Sequence, residues 1–198
     1  MNHPTEHADA IKTARALLEQ KPVYLDTETT GLERSDEIVE LAIVDFDGSV
    51  LLDSLVHPTT SIPFGATRVH HITDGMVAGA PTWAALWPQI GAVLAGRVTA
   101  IYNAEFDIRL MTQTARKAGI PWTPPNQAGA CIMELYARYF GEWNDYRQSF
   151  AWQSLEKAAR QCRIALPNTH RAKDDALLAR AVLQYMAEEG YSQTPLFE

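Results

Sequence analysis

Val23-Tyr24-Leu25-Asp26-Thr27-Glu28-Thr29-Thr30-Gly31 is an apolar run that ends in two carboxylates, three threonines and a glycine. Aromatic and β-branched residues bounded by Gly suit an extended strand. In extended backbone, positions i and i+2 project to the same side, so Asp26 and Glu28 share a face. Two carboxylates on one face lie close enough to ligate hard divalent ions together. A lone Asp-x-Glu is more often a solvated strand end, so its meaning depends on what the rest of the chain brings to it.

Working outward, residues 23–26, 38–45 and 51–56 are strand-like, and Asp47-Gly48 supplies a hairpin-type turn between the second and third. An antiparallel meander is expected. Ahead of it, residues 7–20 carry Ile11, Ala14, Leu17 and Leu18 at helical spacing, and Pro22 ends that helix. After the meander come a helix over 82–95 with Thr82 as N-cap, a short apolar strand over 98–102, and a helix over 105–117. Strand alternating with helix implies a parallel half of the sheet. Residues 121–125 read as a turn-rich loop, 128–132 as a last strand, 154–162 as a helix and 174–188 as the final helix. The expected organisation is an N-terminal helix at 1–21, one domain at 22–189 and a mobile tail at 190–198.

Composition narrows the class. A chain of 198 residues, 46% hydrophobic with five Trp, buries one sizeable core. The net charge of −7 opposes a protein that grips nucleic acid through a broad basic surface. It is compatible with an enzyme whose positive charge comes from cations held in a nest of carboxylates. Cys131 and Cys162 stand far apart with no partner at zinc-ligand spacing, so no disulfide framework or zinc site is expected and a cytoplasmic location fits. Residues 1–6 lack a basic leader and an apolar secretory core. Residues 76–96 carry no charge, but Pro81, Thr82, Pro88 and Gln89 interrupt them, which predicts a buried soluble helix kinked at Pro88.

Two further acidic segments follow. Asn103-Ala104-Glu105-Phe106-Asp107 stands just beyond the strand at 98–102, where the carboxyl ends of strands in α/β sheets open onto ligand crevices. His170-Arg171-Ala172-Lys173-Asp174-Asp175 opens the last helix. Capping and the helix dipole explain either one in isolation. In this order and company, over residues 22–188, the three segments resemble the DEDD exonuclease superfamily. The match is to its DnaQ-like, histidine-containing DEDDh branch, which includes the proofreading subunits of bacterial replicative DNA polymerases.

That resemblance implies an α/β, RNase H-like fold with a mixed five-stranded sheet flanked by helices. It also implies metal-dependent 3′–5′ exonuclease activity on single-stranded or frayed DNA, releasing nucleoside 5′-monophosphates. Asp26, Glu28, Asp107 and Asp175 would bind two divalent cations, Mg²⁺ or Mn²⁺, with Asp26 bridging both. Spacing alone does not choose Asp175 over Asp174; the family's four-residue gap after the histidine does. His170 would be the general base, imidazole being the side chain that exchanges a proton near neutral pH. An exoribonuclease trimming RNA ends, a noncatalytic nucleic-acid-binding module and an RNase H-type endonuclease are the competing readings.

The same resemblance nominates substrate contacts: the Thr29 backbone N–H, Leu32 and Phe106 against the terminal bases, Asn103, and His70 in Val69-His70-His71-Ile72-Thr73. Core packing is the plainer role for Leu32 and Phe106. Two departures stand out: His71 replaces a glycine of the family pattern, and Gly65 replaces a glutamate that in relatives touches the 3′ end. Arg68, Arg109, Arg171 and Lys173 lie close enough in sequence to contact phosphates. Gln193-Thr194-Pro195-Leu196-Phe197 resembles the short peptide by which bacterial DNA enzymes dock on the sliding clamp, the alternative being a frayed end.

Overall fold

The computed structural model of the chain describes residues 4–121, 130–165 and 169–192. In order, its elements are α1 (Pro4–Glu19), β1 (Val23–Thr29), β2 (Ile38–Val44), β3 (Val50–Leu55), α2 (Phe64–His70), α3 (Asp74–Val77), α4 (Trp83–Leu94) and β4 (Thr99–Ile101). They continue with α5 (Ala104–Lys117), β5 (Ala130–Cys131), α6 (Ile132–Phe140), β6 (Trp143–Asn144), β7 (Ser149–Phe150), α7 (Leu155–Gln161) and α8 (Ala172–Ser192).

Five strands form one sheet in the order β3-β2-β1-β4-β5. β2 runs antiparallel to both β1 and β3, while β4 is parallel to β1 and β5 parallel to β4. The meander and the parallel half therefore meet at β1. A separate small ribbon pairs β6 with β7. The sheet is mixed and flanked by helices, the arrangement expected of an RNase H-like fold.

Alternation along β1 divides the core into two layers. Tyr24 packs with α1, α6 and α8 on one side; Val23 and Leu25 pack with α4 and α5 on the other. α1 docks on its own domain through Ala10, Ala14 and Leu17, all buried. β2 is buried along its whole length, the reading expected of a strand covered on both faces.

Several expectations change in detail. β1 extends to Thr29, so both acids of the opening stretch lie inside the strand. Residues 76–96 do not form one helix: α3 ends at Val77, residues 78–82 carry the chain across, and α4 starts afresh with Thr82 Oγ1 accepting from Ala85 N at 3.3 Å. α4 then continues through Pro88 to Leu94. Among the described residues no helix is long and apolar enough to cross a membrane. α2, α6 and the β6–β7 ribbon are additions to the expected elements. Most of the expected loop at 121–125, the first residues of the expected strand at 128–132 and the tail peptide Gln193–Phe197 lie outside the described residues.

Candidate active site

Pairing between β1 and β4 stops at Leu25 opposite Ile101. Asp26 is the next residue, and the chain leaving β4 turns through Tyr102 and Asn103 into α5. The two carboxyl ends thus part at Asp26, the position where open α/β sheets make their crevices. Asp26 and Glu28 share one face of β1, while Thr27 between them points to α5 and donates from Oγ1 to Asp107 Oδ1 at 2.7 Å. A β-bulge at Glu28/Thr29 breaks the ladder with β2 just past the acids.

α8 supplies the third carboxylate. One oxygen each from Asp26, Glu28 and Asp175 lie within 4.8 Å of one another. Asp174, the neighbouring candidate, is turned away and accepts from Thr169 Oγ1 at 2.6 Å. Asp107 stands outside this trio of ligand atoms, but its charge acts directly on Asp26.

The sequence reading missed what fixes α8 at this angle. Glu40, register partner of Glu28 on β2, is 2% exposed and accepts from Arg171 Nε through both oxygens at 3.0 Å, from Arg171 Nη2, and from Ala172 N at 2.9 Å. One buried carboxylate thereby holds a guanidinium and the first backbone N–H of α8, the positive end of that helix. The available signal was a charge inside Ile38-Val39-Glu40-Leu41-Ala42-Ile43-Val44, where every neighbour is apolar. Arg171 is consequently committed to Glu40, and Lys173 pairs with Asp53 at 3.4 Å. Of the four basic residues singled out in sequence, Arg68 and Arg109 carry no ion pair among the described residues.

Crowding raises the proton affinity of the acids. Burial, then the Asp107, Asp175, Glu28 and Glu40 carboxylates, push Asp26 well above the usual range. Burial followed by the Asp175, Glu40 and Asp107 charges pushes Glu28 up to about 9. Asp107 is pushed up to about 7 by burial, opposed by the Thr27 hydroxyl and backbone hydrogen bonds. Asp175 is pushed up to about 6 by burial, with His170 opposing. Among the described residues the Asp175 Oδ1 atom is buried without a hydrogen-bond partner. An orphaned carboxylate oxygen beside two other acids is the donor set a hard divalent cation satisfies.

His170 sits at the mouth with its side chain 52% exposed and Nδ1 4.0 Å from Asp175 Oδ2. Its backbone is left-handed, at φ 51°, an uncommon state for a residue with a side chain that marks constrained sites.

A cleft of about 640 Å³ opens beside the acids, lined by Glu28, Thr29, Gly31, Leu32, His70 and Phe106 among others. Leu32 is 73% exposed, so its apolar side chain is presented to solvent rather than packed in the core. Gly31 is required by a close approach: a Cβ there would lie 2.6 Å from Asp36 Oδ2. The Asp36 carboxylate in turn accepts from Thr30 Oγ1 at 2.8 Å and from Glu33 N at 2.7 Å. At Gly65, by contrast, a Cβ would meet nothing within 4 Å, so the cleft wall is open where the family pattern has a glutamate.

His70 is 2% exposed and both its nitrogens are engaged. Nδ1 accepts from Ile72 N at 3.0 Å, which leaves Nε2 to donate to Thr29 O at 3.2 Å. Burial lowers its pKa. His70 therefore shapes the wall and holds Thr29, and its polar atoms are spent on the backbone. His71 caps α2 in left-handed backbone at φ 62°, the conformation that favours glycine at this position. Asn103 is exposed at the start of α5 and makes no side-chain capping bond.

Comparison with known proteins agrees with this geometry. The exonuclease (RNase_T) family matches residues 23–183. An uncharacterized exonuclease, CP81, of Escherichia phage 186 is 35% identical over 189 residues, covering 93% of this chain and 97% of its own. The DNA polymerase III subunit epsilon of Treponema pallidum is 28% identical over 156 residues, 76% of this chain and 69% of its own. Longer relatives also match, and in one of these the chain spans 27% of the relative's length. Among solved structures, exonuclease X in complex with 5′-overhanging duplex DNA superposes with a TM-score of 0.61 at 26% identity, covering 87% of this chain and 93% of the other.

Proposed function

Because the chain belongs to the exonuclease (RNase_T) family, we propose that it is a divalent-metal-dependent 3′–5′ exonuclease releasing nucleoside 5′-monophosphates from single-stranded or frayed DNA. The observation that carries this reading is the convergence of Asp26, Glu28 and Asp175 within 4.8 Å beside the cleft, with Asp175 Oδ1 lacking a hydrogen-bond partner among the described residues. Asp26, Glu28 and Asp175 would hold one cation; Asp107 with the shared Asp26 would hold a second, Mg²⁺ or Mn²⁺. Bound cations of this kind supply Lewis acidity at phosphorus and a hydroxide-like nucleophile at neutral pH.

The chain's own side chains do the rest. Leu32 and Phe106 hold the terminal base in the cleft, each base stacked on an aromatic contributing about 1–3 kcal/mol without reading sequence. The Thr29 backbone N–H, braced through its carbonyl by His70, meets the terminal 3′-hydroxyl. His170, with Nδ1 nearest the Asp175 carboxylate, accepts at Nε2 the proton of the attacking water.

The test is a DNA oligomer labelled at its 5′ end, digested with Mg²⁺ or Mn²⁺ at neutral pH, with a matched RNA oligomer in parallel. A ladder shortening one nucleotide at a time from the 3′ end, abolished by Asp26→Ala, is expected. Internal cuts would overturn the exonuclease reading, immediate release of the labelled 5′ nucleotide the polarity, and faster digestion of the RNA the substrate. His170→Ala is expected to lower turnover by about 10² or more.

A further inference from the structure

One face of α5 is a staple. Arg109, Gln113 and Lys117, each four residues apart, donate to the carbonyls of the loop that follows β1. Arg109 Nη2 reaches Leu32 O at 3.3 Å, Gln113 Nε2 reaches Glu33 O at 3.0 Å and Asp36 O at 2.6 Å, and Lys117 Nζ reaches Ser35 O at 2.5 Å. Held this way, the loop brings exposed Arg34 beside Arg109 and Arg116. These three guanidinium groups, with Thr112 and Gln113, line a groove of about 330 Å³. Among the described residues no carboxylate lines it. Among the described residues none of the three is ion-paired, whereas Arg97, Lys117 and Arg171 are. In a chain of net charge −7, three uncompensated cations in one groove form a local reversal of sign.

The groove lies next to the cleft. Arg109 lies over the Phe106 ring, 5.3 Å from its centroid, and both Phe106 and Leu32 line the cleft beside the acids. A strand that ended in the cleft and left past these two residues would meet Arg109 first. From Phe106 to Arg116 the helix advances about 15 Å, a span matching about four nucleotides of a stacked strand at about 3.4 Å each. Guanidinium forks suit phosphate oxygens, and among the described residues the groove offers no aromatic ring for a base. Such contacts fix a strand's path without reading its sequence.

We propose that the Arg34–Arg109–Arg116 groove is a track for the sugar–phosphate backbone of the strand upstream of the terminal nucleotide. This rests on the exonuclease reading above. At about 0.7 salt-dependence units per phosphate contact in single strands, losing two contacts flattens the slope by about 1.4.

The experiment measures binding of labelled dT and rU oligomers of about twelve nucleotides, by fluorescence anisotropy with Ca²⁺ in place of Mg²⁺. It compares the full chain, the Arg34→Ala/Arg116→Ala variant, and Arg147→Ala, a control in the segment joining β6 to β7. Between about 50 and about 200 mM salt the unmodified chain is expected to lose about sevenfold more affinity than the double variant, for both sugars alike. Hydrolysis of thymidine 5′-(p-nitrophenyl phosphate), too short to reach the groove, is expected to be the same in the two. The track is overturned if the double variant keeps the original affinity and salt slope, if Arg147→Ala falls as far, or if only one sugar is affected. Failure of the unmodified chain to hydrolyse the ester would count against the exonuclease reading, while the binding comparison still decides the track.

Discussion

Replacing Asp175 by asparagine is expected to make the metal-free protein more stable while abolishing its activity. Asp175 is 8% exposed, and its carboxyl is pushed up to about 6 by burial. A folded-state value above that of the unfolded chain means the folded form holds the proton more tightly. Stability is then fully present below about pH 4 and is lost as pH rises through the folded value. The displacement is about two units, and at about 1.36 kcal/mol each the ceiling is about 3 kcal/mol. Relaxation and water entry bring a realistic figure to about 1–2 kcal/mol. For a chain of this size that is a rise in Tm of about 2–8 °C. The asparagine amide also offers donors to the Asp26 and Glu28 oxygens, which lie within 4.8 Å. Thermal melts in EDTA at about pH 8 should show the variant melting higher, with the gap closing towards about pH 4. Adding Mg²⁺ should reverse the order, since a ligand at about one hundred times its Kd stabilises by about 2.7 kcal/mol only the form that binds it. An asparagine variant that melts at or below the original temperature at pH 8 in EDTA refutes the idea that these acids strain the empty site.

Other outcomes follow from single contacts. Glu40→Gln leaves Arg171 facing an amide; because the Arg171 side chain is 40% exposed and the lost charge also relieves Asp26 and Glu28, the net cost is about 1 kcal/mol; urea melts should show that loss, and kcat should fall more than about tenfold because His170 and Asp175 flank the freed segment. Thr27→Val removes the hydroxyl that lowers Asp107, so that carboxyl rises further and the acidic limb of the kcat–pH profile should move to higher pH. His71→Gly relieves left-handed backbone at φ 62° and should raise stability by about 1 kcal/mol in chemical denaturation.

The parts of the site that local rules control were legible in the sequence. Period-two alternation places Asp26 and Glu28 on one face, and both later acidic segments fall at helix starts as expected. α6 was legible in principle, because Ile132, Leu135, Tyr136 and Tyr139 keep helical spacing, but its aromatic residues dilute the helix propensity. What the sequence could not carry was long-range pairing. Nothing local says that Glu40 meets a residue 131 positions later, that Thr27 turns to Asp107, or that α5 laces down the loop after β1. Within residues 76–96 the helix over 82–95 capped by Thr82 was legible and forms as Trp83–Leu94, whereas the absence of charge suggested one longer helix across the break before Thr82.

The bond from Glu40 to the first turn of α8 also sets a rotational phase. Successive helical residues point about 100° apart, so deleting a single residue between Arg171 and Asp175 would carry Asp175 to the outward position that Asp174 now holds and bring Ala176 to the ligand position. Charge, composition and helix length would hardly change, yet the ligand trio would be gone. This interval tolerates substitution of its outward side chains but not shortening, which makes it the segment where losing one residue does the most damage for the least visible alteration.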